Sequence, residues 1–179
     1  QMGLNNVLGS EYSYNHTEAS AEKRIWLSSF GHIDTKIKAG KVWDKAPFPL
    51  LILPNTNQSI TIQPEAFHMM SALEFVTDQY VSLDVTYYLK GWILNRIPGV
   101  NWLKLREVVS FNAIYGGLSD KNNPMKTPDL FMFPEGTQPS VGLENIFKIL
   151  RVDYFRRLSY LDNSNIKKSG VRIALRFSF

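Results

Sequence analysis

His32 and Asp34 stand two residues apart, on the same side of any extended segment that carries them. An imidazole beside a carboxylate can hold a metal ion or pass a proton. His16 and His68 lie far from that pair, so the three histidines form no spaced ligand set. A histidine at a turn or strand end is the simpler reading. Glu11 with Glu18, or Glu65 with Glu74, could serve as paired carboxylates for acid–base work, but composition alone suggests them. Gly-x-Ser-x-Gly, His-Glu-x-x-His and a glycine-rich phosphate loop are all absent from the sequence. So is cysteine, which excludes disulfides, thiolate metal sites and Cys nucleophiles. The expectation is no enzyme activity, no cofactor and no metal.

The denser chemistry is electrostatic. Asp84, Lys90, Lys104, Arg106, Arg151, Asp153, Arg157, Arg172 and Arg176, with the amide Asn112, fall opposite files of apolar side chains. Such a charged face could select a solute or hold a plug. The plainer alternative is a solvated or mutually paired polar interior. The net charge is +4 and the pI about 9.2. No run of Lys or Arg exceeds two residues, so nucleic acid is not an expected partner.

The elements that must position these charges are strands. In QYVSLDVTYYLKGWIL, Val81, Leu83, Val85, Tyr87 and Leu89 share one face, and Ser82, Asp84, Thr86, Tyr88 and Lys90 the other. WLKLREVVSFNAIYGGL repeats the pattern, with Glu107 interrupting the apolar file and Ile114 the polar one. LRVDYFRRLSYLD does so with Arg156 as the exception. GVRIALRFSF sets Val171, Ile173, Leu175, Phe177 and Phe179 against Arg172, Ala174, Arg176 and Ser178. Seven strands are predicted, at about 10–29, 33–45, 78–94, 101–117, 140–147, 149–161 and 170–179. No apolar stripe with a 3.6-residue period is long enough for a helix.

Between the strands, SFGH, NRIPGVN and the break near Lys148 are short. The connections at 46–77, 118–139 and 162–169 are long and rich in Pro, Asn, Gly and Lys. Short and long connections alternate, as in an outer-membrane barrel with short periplasmic turns and long outer loops. Several strands exceed the roughly 9–11 residues needed to cross a bilayer. The uncharged stretch 46–64 holds four prolines and is a loop, so membrane contact through a helix is not expected. QMGLNNVLGS does not read as a signal peptide, although a mature or excised segment has the same appearance. Trp26, Trp43, Trp92, Trp102, Tyr154 and Tyr160 sit near strand ends, where a membrane barrel places interfacial girdles and a soluble one packs its rim. PFPLLILP is either an apolar loop folded into a lumen or a contact for another protein. An odd strand count cannot close a bacterial single-chain barrel, so either the count is off by a strand or further strands, from missing sequence or a partner, complete a larger barrel.

GLENIFKILRVDYFRRL followed by GVRIALRFSF resembles the closing strands of the BamA-type surface-antigen superfamily, in Gly142, Leu150 to Tyr154 and the terminal Phe179. FGHIDTKIKAGKVWDKAPFPLL, EFVTDQYVSLDV, LNRIPGVNWLKLREV and GGLSDKNNP are similar to a Bacteroidetes outer-membrane family. Its members join a carboxypeptidase-regulatory-like domain to a BamA-like barrel. This resemblance implies that residues 1–179 are the C-terminal seven strands of a 16-stranded antiparallel transmembrane barrel, with long loops at about 46–77 and 118–139. It implies the cell outer membrane, with Asp84 to Arg176 facing the lumen and Phe177 and Phe179 forming a signal read by barrel-assembly machinery. The implied partners are outer-membrane lipid, the remaining N-terminal strands, that machinery and other outer-membrane proteins. The implied role is outer-membrane assembly, protein export or surface-component handling. A porin-like solute channel and a soluble ligand-binding barrel are the alternatives. Two departures stand out: residues 46–77 contain no arginine where the superfamily loop carries one, and Asn112 stands where an acid is expected.

Overall fold

The computed structural model describes residues 2–3, 14–123, 135–162 and 166–175. They form one antiparallel sheet in which each strand pairs with the next: β1 (Met2–Gly3), β2 (Tyr14–Trp26), β3 (His32–Val42), β4 (Gln79–Tyr88), β5 (Arg106–Gly117), β6 (Glu135–Ile146), β7 (Leu150–Arg156) and β8 (Ser169–Leu175). Seven of these match the predicted strands, and β1 is a two-residue addition paired to Tyr14 and Asn15. The order runs from β1 to β8 without linking its ends, so among the described residues the sheet is open.

Period-two alternation decides both faces at once. Register places Ala39 opposite Val81, Val81 opposite Tyr115, Val109 opposite Val141, Val141 opposite Tyr154 and Tyr154 opposite Val171. This apolar face is open: Val81, Val109, Phe111, Tyr115, Val141, Tyr154, Val171 and Leu175 are exposed, Leu175 to 68%. The opposite face carries Asp84, Ser110, Asn112, Ser140, Arg151, Asp153 and Arg172, and Asp153 and Arg172 on it are only 0% and 8% exposed. A soluble sheet buries its apolar face; here the charged one is covered. The cover is the β3–β4 loop. Phe67, Met70 and Phe75 from that loop cluster with Ile114, so the residue that interrupts the polar file is the sheet's apolar anchor for the loop. Glu107, the interruption in the apolar file, turns to the β4–β5 connection, where its Oε1 accepts the N–H groups of Ile93 and Leu94.

Several boundaries depart from expectation. β4 stops at Tyr88 and β5 begins at Arg106, so Lys90 and Lys104 lie off the sheet, exposed in the connection 89–105. Both have positive φ (54° and 48°), and short 3-10 turns at Leu94–Arg96 and Asn101–Leu103 fill the segment between them. The period-two pattern fails from Gly91 onward, and Pro98 cannot donate to a ladder. This connection is therefore longer than the Pro-Gly turn alone, which weakens the expected contrast between short and long connections. β6 begins at Glu135 rather than 140, and β7 ends at Arg156 rather than 161 because Leu158 leaves to donate its N–H to the Thr137 carbonyl. PFPLLILP stands at the rim: Leu51 is buried with Val42, Ala46 and Val76, while Phe48, Leu50 and Leu53 are exposed. Trp26, Trp92 and Trp102 at one rim and Trp43 at the other are exposed, as is Tyr154, but Tyr160 packs on Phe75 and the loop's cluster instead.

A tight packing constraint lies between β6 and β7. Gly142 pairs with Asp153, and a Cβ at 142 would come within 1.9 Å of the Asp153 carboxylate. Gly142→Ala must displace a buried, ion-paired group, so a loss of about 2–4 kcal/mol is expected. Denaturant midpoints of variant and parent in one detergent check this, with Gly99→Ala, where the added methyl meets open space, expected to cost about 1 kcal/mol from its φ alone.

Candidate functional site

The charged residues predicted from the sequence converge where the loop 46–77 lies on the polar face of the sheet. Each anchor pairs a wall residue with a loop group. Lys36 on β3 donates to Glu65 Oε1 at 2.5 Å, and Lys38 binds the other oxygen of the same carboxylate. Arg157, just past β7, holds Glu74 with both terminal nitrogens, at 2.9 and 2.6 Å, and also donates to the Met69 carbonyl at 3.2 Å. Arg172 on β8 donates to the His68 carbonyl at 2.9 Å. Gln138 on β6 accepts the Met69 N–H at 2.9 Å. The His68 ring stacks on Phe155, with centroids 4.3 Å apart. The loop needs no arginine because its carboxylates and carbonyls meet cations of the wall.

Two further wall groups are satisfied within the sheet. Arg151 and Asp153, on the same face of β7, form a buried pair through Nε at 2.8 Å and Nη2 at 2.5 Å. Asn112 donates to Asp84 Oδ1 at 2.5 Å across the β4–β5 ladder. An acid at 112 would set two carboxylates side by side, so the amide suits its neighbour. Two of the long connections share one base. Asp78 Oδ2 accepts from Ser119 N–H and hydroxyl and from Asn122, whose Oδ1 accepts the Ala46 N–H at 2.9 Å. Sequence reasoning missed Lys36 and Lys38 as site members and raised Glu65 and Glu74 only as a carboxylate pair, whereas each meets a different cation of the wall; nothing in a loop's sequence states which wall it will meet.

The remaining predicted residues divide. Arg106 is exposed at the start of β5, and Lys90 and Lys104 are in the connection below it. Arg176, Phe177 and Phe179 lie outside the described residues. His32 does approach Asp34, 3.9 Å from Nε2 to Oδ2, but Asp34 is engaged by Arg24 at 2.6 Å, and His32 stacks on Tyr88 with centroids 4.7 Å apart. That is a strand-end histidine in an aromatic stack. Among the described residues no group of three or more His, Asp or Glu is arranged to hold a metal.

Between loop and wall remains a polar cavity of about 220 Å³, lined by Glu65, His68, Asp84, Asn112, Arg151 and Phe155 among others. It is smaller than the roughly 300–1,000 Å³ usual for small-molecule sites. What the arrangement can do is hold or release a loop. An up-and-down antiparallel sheet with its charged face filled by its own loop is the class that fold and site define. The family model described as "Family of unknown function (DUF5686) C-terminal domain" matches residues 1–122, and the chain belongs to that family. The match spans β1 to β5, the loop and the Asp78–Asn122 hub. No curated protein and no solved structure matches the chain.

Two titrating groups of the loop tie its docking to pH. Burial, reinforced by the charge of Arg172, lowers His68 from 6.5 to about 4, and its Nε2 accepts the Gln63 N–H at 3.1 Å only when unprotonated. Burial opposes charge on Glu65, but Lys36 and Lys38 outweigh it and hold the carboxyl below its ordinary value. Both pKa values are depressed when the loop is docked, so the released loop binds protons more readily. Docking is fully favoured above about pH 6.5 and weakens as pH falls toward 4. Hydrogen exchange of 63–77 should quicken on going from pH 7.5 to 4.5, after correction for intrinsic rates, while β4 amides stay protected. Glu74→Ala leaves Arg157 buried without its carboxylate and should weaken docking by about 3–5 kcal/mol, read as protease cleavage within 63–77 at pH 7.5.

Proposed function

We propose that this chain forms the C-terminal wall of an outer-membrane β-barrel, resembling the BamA-type surface antigens, in which loop 46–77 is an internal gate. One observation carries the reading: the apolar face is open across β3–β8 while the charged face is covered. An exposed apolar surface of this breadth marks a membrane or protein contact, and outward apolar files with a polar interior are the pattern of membrane barrels. Exposed tryptophans toward both rims fit interfacial girdles. The open sheet fits the expectation of N-terminal strands contributed from outside these residues, since unpaired edges are costly in lipid. Within such a barrel the interior loop and the seam beside β8 are the moving parts. The role is outer-membrane assembly, protein export or surface-component handling, with no catalytic step.

The loop lying over the charged face favours this role over a solute channel, because Phe67, Met70 and Phe75 pack it on Ile114 and Arg157 holds it through Glu74. The full-length protein should fractionate with outer membranes, require detergent, and migrate differently on gels before and after boiling. Depleting it should reduce the set of proteins reaching the surface, and the purified protein should carry no steady current across a planar bilayer. Recovery in the aqueous fraction without detergent contradicts the membrane reading. A stable anion-selective conductance with an unchanged surface proteome favours the channel.

A further inference from the structure

The covered face of β7 and β8 holds more buried positive charge than its carboxylates balance. Asp153 is fully buried and stands opposite Arg172 in register. Both of its oxygens are taken by Arg151, which donates from Nε at 2.8 Å and from Nη2 at 2.5 Å. Arg157, just past β7, has its own carboxylate in Glu74, at 2.6 Å. Arg172 is the exception. It is only 8% exposed, and among the described residues it is in no ion pair. Its terminal nitrogens donate to the carbonyls of Val171, at 3.1 Å, and His68, at 2.9 Å. Its Nε is buried and meets no acceptor among the described residues. Carbonyls fill donor positions but bring no counter-charge, and a buried cation without one is costly.

This guanidinium borders a second cavity, of about 170 Å³. Gln58, Met69 and Ser71 line it from the loop, and Lys167 and Arg172 line it from β8 and the residues leading into it. Among the described residues no carboxylate lines it. His68, the remaining ionisable group there, is uncharged at pH 7.5, because burial lowers it to about 4. Two positive charges, an amide and a hydroxyl therefore face one space with nothing to balance them. The space is below the roughly 300–1,000 Å³ of most small-molecule sites, and it has room for a single small anion.

We propose that this cavity is a phosphate site, completed when loop 46–77 lies on the wall. A phosphate group brings up to two negative charges near neutral pH, matching Lys167 and Arg172. The Gln58 amide and the Ser71 hydroxyl are the further donors for its oxygens. Loop and wall each supply part of the lining, so the bound anion favours the docked loop by mass action. Release of the loop is thereby coupled to phosphate, whether a free ion or the headgroup of a lipid. The site depends on the charges of the covered face alone, and it stands whether or not the apolar face meets lipid.

The test uses the full-length protein in detergent at pH 7.5. Inorganic phosphate replaces sodium chloride at constant ionic strength, and protease cleavage within 63–77 is followed, with the heat of binding as a direct second measure. Phosphate should slow cleavage about tenfold when it stands at about ten times its Kd. Lys167→Ala should raise that Kd about tenfold, through loss of one charge-assisted contact. Lys168→Ala, at an exposed neighbour that does not line the cavity, should bind like the parent. Dihexanoyl phosphatidic acid, added in competition with inorganic phosphate, decides the source: displacement assigns the site to a lipid headgroup, and no displacement to the free ion. Equal protection by acetate at the same ionic strength reveals charge screening alone and overturns the proposal. So does the absence of a heat of binding, or a Kd that Lys167→Ala leaves unchanged.

Discussion

A strand whose side chains alternate must put its charges on one face and its apolar groups on the other, and each face needs a different neighbour. In this sheet the charged face is the covered one. That single inversion sets the rest of the structure. Charges taken from water must find partners, since an unpaired buried ion costs several kcal/mol. The loop between β3 and β4 supplies those partners for Lys36, Lys38, Arg157 and Arg172, and the wall supplies its own for Arg151 and Asp84. The apolar face remains open, and in the proposed setting lipid covers it.

The loop is therefore both structure and device. Its base is fixed by Asp78, Ser119 and Asn122, which tie the starts of two long connections together. Its middle packs Phe67, Met70 and Phe75 on Ile114. The remaining hold is electrostatic and sits on a few named groups, so modest chemical changes bear on whether it stays down. The loop is clasped by ion pairs in its middle and bridged to β8 through Thr61 and Ile173, and these are the contacts that the proposed gate would have to break.

Much of the wall was legible in the sequence because period-two alternation is a local signal. The faces of β4 and β7 follow from it directly, as does the placement of Asn112, Arg151, Asp153 and Arg172. What was not legible depended on tertiary partners. Glu107 and Ile114 read as errors in the pattern, yet one accepts two N–H groups of a turn and the other seats the loop. Lys90 and Lys104 extended the alternation by chance, past the point where Gly91 and the 3-10 turns end the strands. The missing arginine in the loop read as a departure from the superfamily; the structure places acids in the loop and bases on the wall. The family match covers β1 to β5 and the hub, while the buried pair of β7 and the strand β8 lie beyond it.

Lipid contact through the apolar face is the central claim of the proposed function. Single spin labels at positions 81 to 86 of β4, in the full-length protein reconstituted into bilayers, report this directly through their accessibility to dissolved oxygen and to a water-soluble nickel chelate. Labels replacing Val81, Leu83 and Val85 should meet oxygen freely and the chelate rarely, and those at Ser82, Asp84 and Thr86 should be shielded from oxygen. The opposite phase, or no period of two at all, would contradict it.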